Sequence, residues 1–358
     1  MTVSPLDWLS VPLGILIVVG TSVSVIKTLI VPRRAWSLIP HAVESLVTRV
    51  FMSIARRVRT YDMVDRWLGF FGPMVLITTL LVWLTMYVLG FALMLVPSAD
   101  NFAAAVGQSG ASTFTLGITG AAAGSGTAVS VAASAAGLIV IALTIAYLPA
   151  LYAVIRRRET LTRQLGVHAG SPQWGPNVVL EYHRAGALEA LPALYLDWDR
   201  WANEVADGHT KYPILSQFRL PRSEYHWLLS LLAALDAAGL DLSLRPSVSA
   251  GEARLFLLSG TACVDDLAAS LRMAEGLDAG GMVTQPEFTA AVSLLTDAGY
   301  PAERSSEDAW LPFLEWREHY HSTIFVLLDT IVAPPAPWSG KRSIPAKGRS
   351  DQATAAPV

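Results

Sequence analysis

The chain has one cysteine, Cys263, and so cannot close an internal disulfide; a reducing compartment around its C-terminal half is the matching expectation. It has no C-x-x-C pair and no His/Cys cluster of the kind that holds a structural metal. Charge is scarce: Asp, Glu, Lys and Arg make up 15% of the 358 residues, and few of them interrupt the apolar runs up to residue 155. A net charge of −3 offers no overall basic excess for nucleic acid. Strand signals are nearly absent, Ala253 to Leu258 being the one short candidate. No G-x-G-x-x-G follows a strand, which argues against a Rossmann-type nucleotide domain. No nucleophile stands in a pattern with a base, so the expectation is a protein that is not an enzyme and carries no cofactor.

What is abundant is apolar sequence. Hydrophobic residues make up 53% of the chain, and the mean hydropathy is +0.43, values of a membrane protein. A first run, Leu9 to Pro32, is broken only by Lys27 and is long enough to span a bilayer, which takes about 20 helical residues. Its start carries Asp7 and its far end Lys27, Arg33 and Arg34, the reverse of a cleaved signal peptide. Between Arg33 and Arg66 lie seven arginines against Glu44, Asp62 and Asp65. There Val43, Leu46, Val47, Val50, Phe51, Ile54 and Val58 recur at helical spacing, predicting a basic amphipathic helix on the inner membrane surface or packed on the C-terminal half.

A second span is predicted from about Leu68 to Val96, and a third from about Thr127 to Ile155, where Arg156, Arg157 and Arg158 follow. From Pro97 to Gly126 there is one acid and no Lys or Arg. The positive-inside rule then places the N-terminus outside and the C-terminal half in the cytosol of a cell-membrane protein with three spans. In the third span Gly126, Ser130 and Ser134 are four apart, as are Ala133 and Gly137, a spacing that lets helices approach closely.

Between the second and third spans lies Ser109-Gly110-Ala111-Ser112-Thr113-Phe114-Thr115-Leu116-Gly117-Ile118-Thr119-Gly120. It is too polar and too rich in Gly, Ser and Thr for a lipid-facing helix. Non-helical backbone at membrane depth survives only where protein buries it or where it lines a watery path. Ser98-Ala99-Asp100-Asn101 offers N-cap chemistry for a short helix over Phe102 to Ser112. A dehydrated cation needs an oxygen shell in place of water, and carbonyls with threonine hydroxyls provide one. Thr115-Leu116-Gly117-Ile118-Thr119 has the residue types for such a filter, with Ser112, Thr113 and Gly120 as its support.

This arrangement resembles the pore-loop potassium channel superfamily over roughly residues 68 to 158. Thr115 matches the first Thr of that family's T-V-G-Y-G, Leu116 the Val, Gly117 the first Gly and Ile118 the aromatic position. Thr119 stands where the second Gly belongs, and Gly120 where an Asp follows. Gly137 falls near the family's inner-helix hinge glycine. The resemblance implies an outer helix, a pore helix, a filter at 115 to 119 and an inner helix. It also implies a homo-tetramer, since one loop per chain cannot close a ring alone. The permeant ion it implies is potassium, with other monovalent cations equally compatible with Thr119.

The fold class expected is thus an α-helical membrane protein: three transmembrane helices, a re-entrant loop between the second and third, then an all-α cytosolic domain. The divisions are 1–35 (first span), 36–66 (amphipathic helix), 67–165 (outer helix, loop and inner helix), 166–176 (linker), 177–332 (helical domain for assembly or gating) and 333–358 (disordered tail). Within the helical domain, Tyr225, Leu228, Leu229, Leu232 and Leu235 give one helix an apolar face. Trp198 and Trp201 read as core, and His319 with His321 or Glu315 falls short of a zinc set. The partners expected are the lipid bilayer and further copies of the chain, not nucleic acid; a cytosolic ligand or protein is left open. The competing reading is a non-conducting membrane-anchored scaffold whose helical domain binds a partner.

Overall fold

The computed structural model describes residues 9–31, 37–55, 61–116, 125–170, 173–219, 225–248, 250–271, 273 and 282–340. All regular structure among them is helical. The chain forms two compact units: Met1–Met52 with Phe71–Tyr152, and Ser53–Phe70 with Ala153–Val358.

The first unit contains α1 (Ser10–Leu29), most of α2 (Leu38–Ala55), α4 (Phe71–Leu95), α5 (Phe102–Thr113) and the first part of α6 (Ser125–Ala169). Helices α1 and α4 meet through glycine. A methyl group at Gly14 would lie 2.5 Å from the Gly90 carbonyl oxygen, and one at Gly90 would lie 2.8 Å from Val18 Cγ2. Polar side chains flank this crossing: Ser10 Oγ donates to the Leu93 carbonyl (2.7 Å), Trp83 Nε1 to Ser24 Oγ (3.0 Å), and Ser22 shares a hydrogen bond with Tyr87 (2.9 Å). Small residues and buried hydroxyls are what hold helices together where lipid removes the hydrophobic drive. Helix α2 buries Val43, Val47, Phe51 and Ala55 and leaves Leu46, Val50 and Ile54 exposed, two apolar rows four residues apart. It carries Arg49 alone of the arginines expected on it; Arg56, Arg57 and Arg59 lie outside the described residues. Of the expected 36–66 division, the described residues are helical over α2 and over α3 (Tyr61–Leu68), the latter in the other unit; residues 56–60 lie outside the described residues.

The second unit adds to α3 and the end of α6 the helices α7 (Gly175–Arg184), α8 (Leu191–Lys211), α9 (Trp227–Leu244), α10 (Ala250–Ser270), α11 (Gln285–Asp297), α12 (Ser306–Glu318) and α13 (His321–Thr330). Among the described residues, five stretches are long and apolar enough to cross a membrane: Ser10–Leu29, Leu38–Ala55, Met63–Ser98, Gly126–Ala169 and Trp227–Leu244. Burial separates the last from the rest. It is 100% buried, against 17% to 44% for the others. Leucine and alanine occupy nearly every turn of α9 on all sides, so it is a core helix, packed by α7, α10 and α12. In place of the single apolar face expected for this helix, every side is buried, with Asp236 and Asp241 carried into the core among the apolar residues.

Three other boundaries differ from expectation. Ala253 to Leu258 is helix, because Ala253, Phe256, Leu257, Gly260, Val264 and Leu267 bury one stripe of α10 at helical spacing. Helix α6 runs to Ala169, so the expected linker at 166–176 begins as helix. The expected disordered tail from 333 begins with packed residues: Ala333, Trp338 and Ser339 are buried, and the Trp338 ring packs edge-on to Trp174 at 5.5 Å. One indole provides enough apolar area to hold a Pro-rich segment down. Residues 341–358 lie outside the described residues. Cys263 is buried, and burial raises its thiol pKa above the ordinary range, the environment of an unreactive structural cysteine.

Candidate functional site

The loop region is built from α5 outward. The Asn101 side chain caps the helix by accepting from the Ala104 amide at 2.9 Å, and α5 ends one residue beyond the predicted Ser112. The helix is held on both flanks. Towards α4, Ser109 Oγ donates to the Val88 carbonyl at 2.8 Å. Towards α6, Gln108 Nε2 donates to Ser130 Oγ (3.0 Å) and Ser134 Oγ to the Ser112 carbonyl (2.9 Å). The small-residue spacing of the third span therefore forms part of a seat for α5. Gly137 completes it: a methyl group there would lie 2.0 Å from the Thr113 carbonyl oxygen, so only glycine admits the end of α5 this close. Gly137, expected as a hinge, lies inside the continuous α6.

The C-terminus of α5 is tied off by its own amides. Thr115 N–H donates to the Ser112 carbonyl (3.0 Å) and Leu116 N–H to the Ala111 carbonyl (2.8 Å), the paired bonds of a Schellman motif. The residue that turns the chain there is Thr115, with φ of 54°, where glycine is usual. A β-branched residue in the left-handed region is strained by about 1–3 kcal/mol, a feature that gathers at functional sites. Ser112 Oγ and Thr113 Oγ1 are buried beside it with no hydrogen-bond partner in the structure. Phe114, Thr115 and Leu116 are exposed. Of the expected filter, Thr115 and Leu116 are placed; Gly117, Ile118, Thr119 and Gly120 lie outside the described residues. Gln108 and Ser109 on α5 and Ser130 and Ser134 on α6 are not among the expected site residues, although the spacing of 126, 130 and 134 marks α6 as a packing surface.

In the second unit the aromatic and histidine residues singled out in the sequence take up packed or hydrogen-bonded positions. Trp198 and Trp201 are core, 4.7 Å apart. His319 Nδ1 donates to the Glu315 carbonyl (2.7 Å), and no group of three or more metal-ligating side chains occurs among the described residues. His209 is buried with Nδ1 on the Val205 carbonyl (2.9 Å), which makes that nitrogen the donor and leaves Nε2 to accept from Arg158 (3.4 Å). Burial first, then the neighbouring Arg158 charge, lowers its pKa to about 3. Since the unfolded histidine titrates near 6.5, the stability His209 provides is complete above that pH and drains away as pH falls towards 3. Wild type should therefore lose up to about 1.4 kcal/mol per pH unit relative to His209→Gln across that window. Denaturant melts of both proteins from pH 7 to pH 4 measure the difference, and parallel curves would remove His209 as the source.

No protein-family model, no curated protein and no solved structure matches the chain.

Proposed function

We propose that the protein is a membrane channel for potassium or other monovalent cations, its pore formed where four copies of the 109–120 loop meet around one axis. The observation that carries this reading is the seating of α5. A twelve-residue helix, too short to cross a bilayer, is fixed between two long apolar helices by hydroxyl–carbonyl bonds and by the Gly137 contact. Its C-terminus hands the chain to Thr115 and then to the Gly- and Thr-containing loop. A structural plug would have little use for two unpaired buried hydroxyls and a strained threonine at that point. A cation site would use them, since oxygen ligands and the negative end of a helix both favour positive charge.

The absence of Lys and Arg from Pro97 to Gly126 and the arginines on either side support a loop on the outer face and a C-terminal half in the cytosol. A homo-tetramer follows from one loop per chain. Flux of potassium into liposomes holding the purified protein tests the reading, with Gly117→Asp as the blocked control. Flux above empty vesicles that the substitution abolishes is the expected result. A four-fold assembly that passes no potassium or sodium would overturn it, and a monomer or dimer in detergent would favour the membrane-anchored scaffold.

A further inference from the structure

The second unit contains two segments that flank the membrane hairpin in sequence: α3, which leads into α4, and residues 153–169, which lead out of α6. One short stretch of the chain grips both. This is residues 213–219, a 3-10 turn followed by Phe218 and Arg219, in which Leu215, Ser216 and Phe218 are buried and Ile214 and Arg219 partly so.

On the α6 side the grip is Arg158. Its guanidinium donates to the Leu215 carbonyl (2.9 Å) and the Phe218 carbonyl (2.9 Å), rests 4.7 Å above the Trp227 ring, and pairs with Glu159 at 2.6 Å. Trp201 Nε1 fixes the backbone of the same residue by donating to the Arg158 carbonyl (2.9 Å). On the α3 side the grip is Arg219. It donates to Asp65 Oδ1 at 2.7 Å in a pair whose side chains are only 10% and 9% exposed, and its other nitrogen reaches the Ile331 and Val332 carbonyls. Val332 is itself held at φ of 52°, where a β-branched residue is an outlier. Beyond this stretch the Tyr225 ring lies against α6, where a methyl group at Gly166 would be 2.1 Å from Tyr225 Cδ1.

The Phe218 carbonyl that holds the buried Arg158 guanidinium and the Arg219 of the ion pair with Asp65 stand on adjacent residues of one backbone, and either contact is costly to break, because it leaves a charge without its partner in a poorly solvated place. Displacement of Phe218 moves the partner of Arg158 and the root of Arg219 together. We infer that residues 213–219 are a mechanical relay, which couples α3 and the end of α6 so that neither can loosen without the other. Its regulatory meaning, joint control of the two helices that bracket the proposed pore, rests on the channel reading; the coupling itself does not.

Amide hydrogen exchange on the full chain in lipid nanodiscs tests it. Asp65→Asn keeps the shape and removes the α3 charge, and Arg158→Lys keeps the charge and removes the two-carbonyl clamp. The relay requires that Asp65→Asn speed exchange within 157–166 of α6, and that Arg158→Lys speed it within α3, each by about tenfold, while α11 is unchanged. Loosening confined to the substituted element overturns the relay. A rise spread evenly over the unit, α11 included, also overturns it, since that reports loss of fold rather than a directed path. Arg219→Lys, a milder change, should loosen both elements by a smaller factor. Potassium flux is recorded on the same variants. Coupled exchange with no flux in wild type would sink the channel reading and leave the relay standing, whereas flux that survives with uncoupled exchange would do the reverse.

Discussion

Asp236→Ala is expected to destabilise the C-terminal unit by about 3–5 kcal/mol, much of what a domain of this size has in reserve. Asp236 lies in the middle of α9, fully inside the core. It accepts from the Arg317 guanidinium and from Tyr320 Oη, the latter at 2.8 Å. Arg317 is itself completely buried, donates to the Trp338 carbonyl (2.6 Å) and sits between the rings of Phe313, Phe325 and Trp338 at 5.6 to 5.9 Å. Truncating the carboxylate strands that cation in an aromatic cage with a tyrosine hydroxyl unpaired. Removing both charges together is a different matter: Asp236→Ala with Arg317→Met leaves no orphan charge, though the Tyr320 hydroxyl stays unpaired, and should recover at least half of the loss. Denaturant unfolding of single and double variants decides the point. A single substitution that costs under about 1 kcal/mol would show that the pair is not what holds α12 and the 331–340 segment to α9.

The second large effect is predicted for the smallest substitution, Gly137→Ala. The added carbon would fall 2.0 Å from the backbone oxygen of Thr113, and a backbone atom pinned by Ser134 on the residue before it cannot swing away as a side chain would. Either α5 lifts from its seat or α6 bends. Overpacking of this kind typically costs about 1–3 kcal/mol, and a backbone clash belongs at the upper end. Gly20→Ala is the matched control, since nothing lies within 4 Å of a methyl group there and alanine favours helix. Thermal melts in detergent should show a clear loss for Gly137→Ala and none for Gly20→Ala, with potassium flux falling in the first alone. Equal tolerance of both would mean that α5 does not rest on Gly137.

What could be read from the sequence was what neighbours in sequence decide. Asn101 caps α5 through an amide three residues on, and the capping preference of Asn identified that start to the residue. The long helices were legible because a bilayer-length apolar run has few other uses. Long-range pairings were not. Asp65 and Arg219 are 154 residues apart, so no local pattern could assign α3 to the C-terminal unit. The spacing of Ser130 and Ser134 predicted a packed surface without saying which helix would occupy it. The segment at 253–258 was misjudged because a short apolar run fits a buried strand and a buried helix alike; only the stripe continuing to Leu267 distinguishes them. At Trp338 composition misled in the other direction, since one large ring outweighed the prolines around it.

Helix α9 carries a last consequence, for biosynthesis. An eighteen-residue helix rich in leucine and alanine leaves the ribosome before α10 to α13 exist to cover it, after four earlier stretches that are long and apolar enough to cross a membrane. The insertion apparatus judges such a run by composition. Asp236, at the middle of the run, adds about 2.5–3.5 kcal/mol against entry into the bilayer, and Asp241 adds a further share nearer the end. The carboxylates that later anchor Arg317 and Arg245 thus also count against entry of the nascent helix into a bilayer before its covering helices are made.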